Sequence, residues 1–220
     1  MTILHPPSST LRPPCFPGRP VNGGPLDKAH PKRGDWLYEP KFNGWRALIH
    51  VPTGAMFNRK LERLSIEQEF KKSLAELRAE LNKNLTGLLY PELHGRQCLT
   101  PAEIEWADTE ALERRHNRGR GSLVLLDLPV LRLPLLQRGY IMRETFCPTL
   151  DHCAGKDTVY SVPQYTDGVT TYWDLQETNR DLGCEFYEGV VAKRADSLYP
   201  LQARSPDEET TVWMKHRWKF

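Results

Sequence analysis

The sequence lacks several features that would assign a class of protein at once. Lys and Arg exceed Asp and Glu only slightly, at 30 against 28. A polybasic or histone-like protein is therefore excluded, and any nucleic-acid binding must come from local clusters of cations. No run of about 18 apolar residues marks a membrane span, and the start, MTILHPPSST, does not resemble a signal peptide. These absences predict a soluble, cytoplasmic protein without membrane contact, and we expect a monomer.

Common nucleotide and metal motifs are also missing. The sequence contains neither GxxxxGK[ST] nor GxGxxG, and its Gly-Arg-Gly fragment at 119–121 follows no predicted strand. The five cysteines are scattered, odd in number and without a CxxC pair, which indicates reduced thiols. Cys147, His152 and Cys153 are close enough in sequence to bind a metal, but their spacing is not that of a zinc knuckle. Buried structural thiols are the favoured interpretation.

Proline is concentrated near the start of the chain. Nine of the 18 prolines fall within the first 40 residues. Such a segment cannot hold a regular ladder or a long helix, so residues 1–34 are predicted to be an irregular arm that lies over the domain or is partly disordered. A polyproline ligand is the alternative. Residues 35–220 are enough for one globular domain with its own core.

Short β-type runs predominate after residue 35. They occupy 36–39, 45–51, 88–93, 122–131, 159–165, 189–195 and 211–218. One helix is predicted from Ser65, where Gln68 completes a capping box, and its buried stripe includes Phe70 and Leu77. A second helix is predicted from Thr100, and a third along 172–182, ended by Gly183. This mixed order predicts an α+β fold with largely antiparallel sheets and not a doubly wound one.

The most informative segment is EPKFNGWR, residues 39–46. A β run breaks at Lys41, turns through Asn43-Gly44 and then resumes. Because Asn-Gly tolerates positive φ, we expect a tight reversal that holds the Lys41 amine at the mouth of a sheet. Taken alone, the segment fits a surface hairpin with an exposed lysine equally well.

Two later strands also carry charged residues. Glu188 and Lys193 are an odd number of residues apart, so either the strand bulges or the two side chains approach a ligand from different sides. Trp213, Lys215 and Arg217 alternate along the last strand and therefore share one face. Cations on one face suit a polyphosphate, and the alternative is a solvated edge strand.

These segments together resemble the covalent nucleotidyltransferases, which comprise ATP-dependent DNA ligases, RNA ligases and mRNA capping enzymes. Six motifs stand in the order of that family, which is more specific than any one of them. They are Lys41–Arg46, Asn58–Lys60, Tyr90–Leu93, Leu125–Asp127, Glu188–Lys193 and Trp213–Arg217. Residues 135–138, 194–199 and 204–205 resemble the DNA ligase branch in particular. The resemblance implies an adenylation domain with the nucleotidyltransferase (ATP-grasp-like) fold over residues 35–220.

The resemblance also implies a role for each site residue. Lys41 would attack the α-phosphorus of ATP, forming a lysyl-AMP bond and releasing pyrophosphate. A lysine amine of ordinary pKa, about 10.4, is almost wholly protonated near neutrality, so such a site must lower that pKa by desolvation or neighbouring cations. Glu188 would bind Mg²⁺ or Mn²⁺ through water. The implied nucleotide contacts are Glu39 to the adenine amine, Arg46 and Glu92 to the ribose, Arg59 to ribose or a 5′-phosphate, Leu126 beside the base, and Lys193, Lys215 and Arg217 to the phosphates.

The sequence departs from the family pattern in several places. Asn43 stands where Asp is commoner, Leu126 where an aromatic often packs on the base, and Arg217 where Lys is usual. The chain also stops at Phe220, directly after the last motif, whereas replicative and repair ligases of the family continue into an OB-fold domain. We therefore expect a chain without an OB-fold domain.

The sequence thus predicts a minimal ATP-dependent DNA ligase that seals nicks between 5′-phosphate and 3′-hydroxyl ends in DNA replication, repair or recombination. One alternative is an RNA ligase or a GTP-using capping-type enzyme. Another is an adenylation module that depends on a separate OB-fold or DNA-binding partner protein. A basic loop and a basic tail are the predicted DNA contacts, with a merely solvated loop as the alternative. Their residues are Arg114, Arg115, Arg118, Arg120 and Lys219, together with Arg59.

Overall fold

A computed structural model describes residues 11–26, 35–87, 104–112, 121–129, 131–146, 158–201 and 204–218. The described residues form nine strands and three helices, in the order β1 Arg19–Asn22, β2 Trp36–Phe42, β3 Trp45–His50, β4 Ala55–Phe57, α1 Lys71–Gly87, β5 Trp106–Leu112, β6 Ser122–Asp127, α2 Leu135–Thr145, β7 Val159–Ser161, α3 Gly168–Leu182, β8 Tyr187–Arg194 and β9 Glu209–Arg217. None of the described helices is long and apolar enough to cross a bilayer.

The strands form two sheets. Sheet A has the order β1-β9-β8-β2, and sheet B has the order β4-β3-β5-β6-β7. Only the pairs β1–β9 and β6–β7 are parallel among the described strands. Apolar side chains of both sheets and the helices form one large core, including Phe42, Ile49, Leu77, Leu125 and Val190. The α+β prediction with largely antiparallel sheets is therefore confirmed.

Helix α3 follows its prediction closely. The Asp167 carboxylate caps its first turn by accepting from the Thr170 amide at 3.0 Å. Gly183 ends the helix in the left-handed conformation, with φ of 64°. Tyr172 and Leu175 are buried against sheet A, as their spacing predicted.

Helix α1 begins at Lys71, not at Ser65. The residues before it form tight turns, in which the Glu69 amide donates to the Ile66 carbonyl at 3.0 Å. Tertiary contacts decide this start, because the Ser73 hydroxyl donates to the Gly121 carbonyl at 2.9 Å and the Glu69 backbone packs against Gly121. The predicted apolar stripe is nevertheless buried, and includes Phe70, Leu77 and Leu81.

The helix predicted from Thr100 is wrong over residues 104–112, while its predicted start lies outside the described residues. Residues 106–112 instead form β5, which lies between β3 and β6 in sheet B. Trp106, Ala107 and Leu112 are buried there. Alanine, glutamate and leucine favour helices locally, but pairing on both edges and burial on both faces outweigh that propensity.

The proline-rich segment holds a short ladder, contrary to its prediction. Strand β1 pairs with β9 in parallel at the edge of sheet A, and the register shifts between Pro20 and Val21. A proline is tolerated in such an edge strand because its missing N–H faces away from the ladder or lies at an irregularity. Residues 1–10 and 27–34 of the predicted arm lie outside the described residues.

Candidate functional site

Asn43 and Gly44 connect the two sheets. Strand β2 pairs in sheet A and β3 pairs in sheet B, so the surface-hairpin alternative is wrong. Neither Asn43 nor Gly44 has the positive φ that the expected tight reversal would use. Gly44 is required for space, since a Cβ would lie 2.8 Å from the Ala111 carbonyl oxygen. The link brings Lys41 of sheet A and Arg46 of sheet B within electrostatic reach of one carboxylate, Glu110.

One face of sheet A gathers five of the predicted site residues, together with Trp213. Across the sheet, Lys41 is opposite Gly189 and Arg217, Glu39 is opposite Val191 and Lys215, and Leu37 is opposite Lys193 and Trp213. Side chains of directly opposed residues lie on the same side of a sheet. The shared face therefore carries Glu39, Lys41, Lys193, Trp213, Lys215 and Arg217.

Glu188 is brought to Lys41 by a β-bulge. Lys41 pairs with Gly189 and Phe42 pairs with Tyr187, which leaves Glu188 as the extra residue of β8. Gly189 has a φ of 146°, and a Cβ there would lie 1.9 Å from the His216 carbonyl oxygen, so only glycine fits. The Glu188 carboxylate forms a close ion pair with the Lys41 ammonium and lies 3.0 Å from Arg217 Nη2. Of the two sequence alternatives, the bulge is the one observed.

A buried cluster of charged groups surrounds Lys193, which is opposite Leu37 in the β2–β8 ladder. Lys193 Nζ is 2.7 Å from Glu39 Oε2 and 3.8 Å from Asp127 Oδ2, and it donates to the Leu126 carbonyl at 3.2 Å. The same ammonium lies 4.6 Å from the centroid of the Trp213 ring. Burial raises the pKa of Glu39, and Lys193 opposes that effect. Lys193, which was predicted to contact phosphate, is thus held by internal carboxylates.

Arg46 is fixed by Asp108. Its Nε and Nη2 lie 3.0 and 2.5 Å from the two Asp108 oxygens, a bidentate arrangement. Its Nη1 donates to the Gly18 carbonyl at 2.6 Å, so the proline-rich segment lies against the site. The Tyr199 hydroxyl donates to Asp108 at 2.9 Å and so helps to hold the carboxylate that binds Arg46.

Asp108 and Glu110 were missed from the sequence because their segment was predicted to be helical. Glu110 is opposite Arg46 in the β3–β5 ladder, and its Oε1 accepts from the Gly44 amide at 3.2 Å. Burial raises the pKa of Glu110 to about 7, although Lys41 and Arg46 oppose this. The available signal was two acidic residues two apart within the apolar run WADTEAL. Glu92, predicted to share the ribose with Arg46, lies outside the described residues.

Cations crowd the Lys215 edge of the shared face. Burial lowers the pKa of Lys215, and the neighbouring Arg19 and Arg217 lower it further. Such crowding of positive charge favours the binding of an anion. Arg19 belongs to β1 and was not among the predicted site residues.

Arg59 and Leu126 are the other predicted residues that the structure describes. Arg59 is half exposed, and its Nη1 is 3.9 Å from Asp207 Oδ1. Leu126 packs partly buried against the core. The predicted metal ligands Cys147, His152 and Cys153, and the predicted DNA contacts Arg114, Arg115, Arg118, Arg120 and Lys219, lie outside the described residues. Within the described ranges, no group of three or more His, Cys, Asp or Glu side chains could hold a metal ion.

Comparisons with known proteins identify the fold. No protein-family model matches the chain. The chain is 24% identical over 225 residues to DNA ligase 4 of Yarrowia lipolytica, which covers 92% of this chain and 22% of that protein. The ligase domain of M. tuberculosis LigD is similar in structure, with a TM-score of 0.54 at 17% identity over 92% of this chain and 59% of that one.

The Chlorella virus DNA ligase-adenylate is also similar, with a TM-score of 0.50 at 14% identity over 91% of this chain and 67% of that chain. The chain therefore has the nucleotidyltransferase fold of these DNA ligases, and the resemblance drawn from the six motifs is confirmed at the level of the fold. It spans about a fifth of the length of the curated relative and about three fifths of the LigD ligase domain structure.

Proposed function

We propose that this chain is the adenylation domain of an ATP-dependent DNA ligase. The observation that carries the proposal is the shared face of sheet A, where Lys41 and Glu188 meet two further cations, Lys215 and Arg217. A nucleophilic amine beside cations able to bind phosphate is the arrangement that nucleotidyl transfer requires. The likeness to a ligase-adenylate structure supports the same chemistry.

The first step would transfer AMP from ATP to Lys41. The Lys41 ammonium must first lose a proton to water, and its ion pair with Glu188 must break. Its lone pair then forms a bond to the α-phosphorus, and the bond from that phosphorus to the pyrophosphate oxygen breaks. Lys215 and Arg217 would stabilise the charge that develops on the phosphate oxygens.

We assign the base to Glu39, farther along the shared face from Lys41, and the ribose to Arg46 of sheet B. Glu39 is a buried carboxylate whose oxygens can each accept one further hydrogen bond beyond those to Gln164 and Lys193. We also assign Glu110 to the ribose side, since it lies opposite Arg46. For Lys193 to contact a phosphate as well, its ammonium would have to leave Glu39.

We assign a divalent cation to Glu188, whose ion pairs with Lys41 and Arg217 would have to loosen to admit it. Mg²⁺ is commonly held by one or two protein carboxylates, several waters and the phosphates of the substrate. Glu188 is a single, partly exposed carboxylate next to Lys41, which suits that mode. When bound, the cation would offset negative charge on the substrate phosphates.

The second half of the proposed reaction passes AMP to the 5′-phosphate of a nick, after which a 3′-hydroxyl displaces it. We propose nicked DNA as the substrate, on the basis of the resemblance to DNA ligases and of Arg59, a half-exposed cation that shares Asp207 with Arg19 of β1. A separate OB-fold or DNA-binding protein is the proposed partner if sealing requires one.

Covalent labelling tests the first step. The chain is incubated with α-labelled ATP and Mg²⁺, and the protein is separated by denaturing electrophoresis. We expect label on the wild type and on Lys71→Ala, a matched control at an exposed lysine of α1, but none on Lys41→Ala. An unlabelled wild type, or undiminished label on Lys41→Ala, contradicts the proposal.

Sealing of a nicked duplex tests the second step. Label transferred to the protein but never to DNA, with sealing restored by a second protein, identifies a partner-dependent module. Labelling by GTP in preference to ATP, or sealing confined to RNA ends, contradicts the assignment to DNA ligases.

A further inference from the structure

Glu39 is held by a neighbour that no sequence motif indicated. The carboxylate is buried, with only 2% of its surface exposed. Its Oε1 accepts from Gln164 Nε2 at 2.9 Å, while its Oε2 pairs with Lys193 at 2.7 Å. Gln164 lies in the segment between β7 and α3, outside the regions of the six motifs.

The orientation of the Gln164 amide is determined by Arg143. Arg143 Nη1 donates to Gln164 Oε1 at 2.7 Å. A guanidinium has only donors, so the amide oxygen must face Arg143 and the amide nitrogen must face Glu39. The backbone beside Gln164 is also fixed, because Tyr38 and Tyr165 exchange two backbone hydrogen bonds of 2.8 and 2.9 Å.

A glycine of helix α2 leaves the space that this amide occupies. A Cβ on Gly139 would lie 2.2 Å from Gln164 Oε1 and 2.8 Å from its Cδ and Nε2. Glycine inside a helix is about 1 kcal/mol less favourable than alanine. Gly139 therefore destabilises helix α2, but a larger residue there would displace the Gln164 amide.

The three residues act on Glu39 and not on Lys41. They present a carboxylate with free acceptor capacity at the base end of the proposed site. A 6-amino purine offers a donor to such a group, whereas a 6-oxo purine offers an acceptor, which would leave two buried acceptors facing each other.

We propose that Gly139, Arg143 and Gln164 are positioning residues for base selection, which orient Glu39 to accept a 6-amino purine and reject a 6-oxo purine. This inference rests on the nucleotide-binding part of the proposed function and not on its adenylation step, because it takes the nucleotide to bind along the shared face. It deepens that function by naming residues outside the motifs that set the choice of nucleotide.

The test compares the affinity for ATP with that for inosine triphosphate, measured by calorimetry in EDTA so that no adenylation occurs. We expect the wild type to prefer ATP. Gln164→Ala and Arg143→Met should each reduce that preference about tenfold, equivalent to about 1.4 kcal/mol. The change should come mainly from a lower affinity for ATP. Gln176→Ala, at a half-buried glutamine of α3, serves as the matched control and should retain the preference.

Gly139→Ala separates positioning from folding. Its methyl group displaces only the end of the flexible Gln164 side chain, and alanine favours the helix. We expect an unchanged or higher melting temperature together with the same loss of ATP preference. An unchanged preference in both Gly139→Ala and Gln164→Ala, or a wild type that does not distinguish the two nucleotides, overturns the inference.

Covalent labelling by ATP is followed in the same preparations. If the preference exists and depends on Gly139 and Gln164, but the wild type takes no label, the proposed function fails while the base-selection inference is retained. If label forms but the preference is unchanged in the variants, only the inference fails.

Discussion

Replacing Arg138 by alanine should destabilise the protein strongly, because the residue neutralises a carboxylate in the core. Arg138 and Asp127 are both fully buried, with Nε and Nη2 of Arg138 at 2.6 and 3.0 Å from the two Asp127 oxygens. Arg138 Nη1 also donates to the Ser197 carbonyl at 3.0 Å. The pKa of Asp127 is lowered although burial alone would raise it, because Arg138 and Lys193 outweigh burial.

The size of the stability loss depends on the Asp127 charge that Arg138→Ala leaves unpaired. Removing one partner of a buried ion pair leaves an uncompensated charge and costs about 3–5 kcal/mol. Lys193 is 3.8 Å from Asp127 and can compensate only part of this, since Glu39 shares its ammonium. For a domain of this size each kcal/mol lowers the melting temperature by about 2–4 °C. We therefore expect a loss on the order of 10 °C.

Urea and thermal unfolding, followed by circular dichroism, measure this loss. Arg194→Ala is a matched control, because Arg194 makes the same bidentate contact to Asp196, at 3.0 and 2.5 Å, on the exposed surface. That pair should contribute about 0–1 kcal/mol. A loss of less than about 1 kcal/mol in Arg138→Ala, or equal losses in both variants, would refute the reasoning about burial.

Two further predictions concern titratable groups near the site. Burial raises the pKa of Glu110 from 4.5 to about 7, so the folded state binds this proton more tightly and stability should fall as pH rises between those values. Relative to Glu110→Gln, the wild-type free energy of unfolding should decrease across that window, and parallel pH profiles contradict this. Burial, reinforced by Asp108, raises the pKa of Cys15 to about 11. Iodoacetamide at pH 8 should therefore modify Cys15 about a hundredfold more slowly than exposed Cys184, and equal rates in peptide mapping contradict that expectation.

Sequence patterns predicted correctly those helices and strands that short stretches of neighbouring residues determine. Helix α3 ends at Gly183 as predicted, whereas its capping residue Asp167 was not predicted. Trp213, Lys215 and Arg217 share one face of β9 because alternate residues of any regular strand lie on the same side. The convergence of Lys41, Lys215 and Arg217 was inferred from a resemblance and is consistent with the observed register.

Predictions failed where distant contacts decide the backbone. The residues of β5 favour a helix when they are considered alone, but their pairing with β3 and β6 makes them a strand. The dipeptide Asn43-Gly44 is typical of a hairpin turn. Glycine is needed at position 44, however, because a Cβ there would clash with the Ala111 carbonyl oxygen, and not because φ is left-handed. Gln164 was not predicted to matter, because its partners Glu39 and Arg143 lie far away in sequence. Non-local pairings of this kind leave no periodic pattern.

The pairing of sheet A has a consequence for the order of assembly. Lys41 and Glu188 are 147 residues apart, and Arg19 and Asp207 are 188 residues apart. Closing loops of this length costs entropy before any contact compensates for it, so such pairings form late in folding. On the ribosome, the strand that carries Lys41 is made long before β8 and β9 exist. A partly synthesised chain thus contains Lys41 without the cations and carboxylates around it, and the complete candidate site can arise only after β9 has been made.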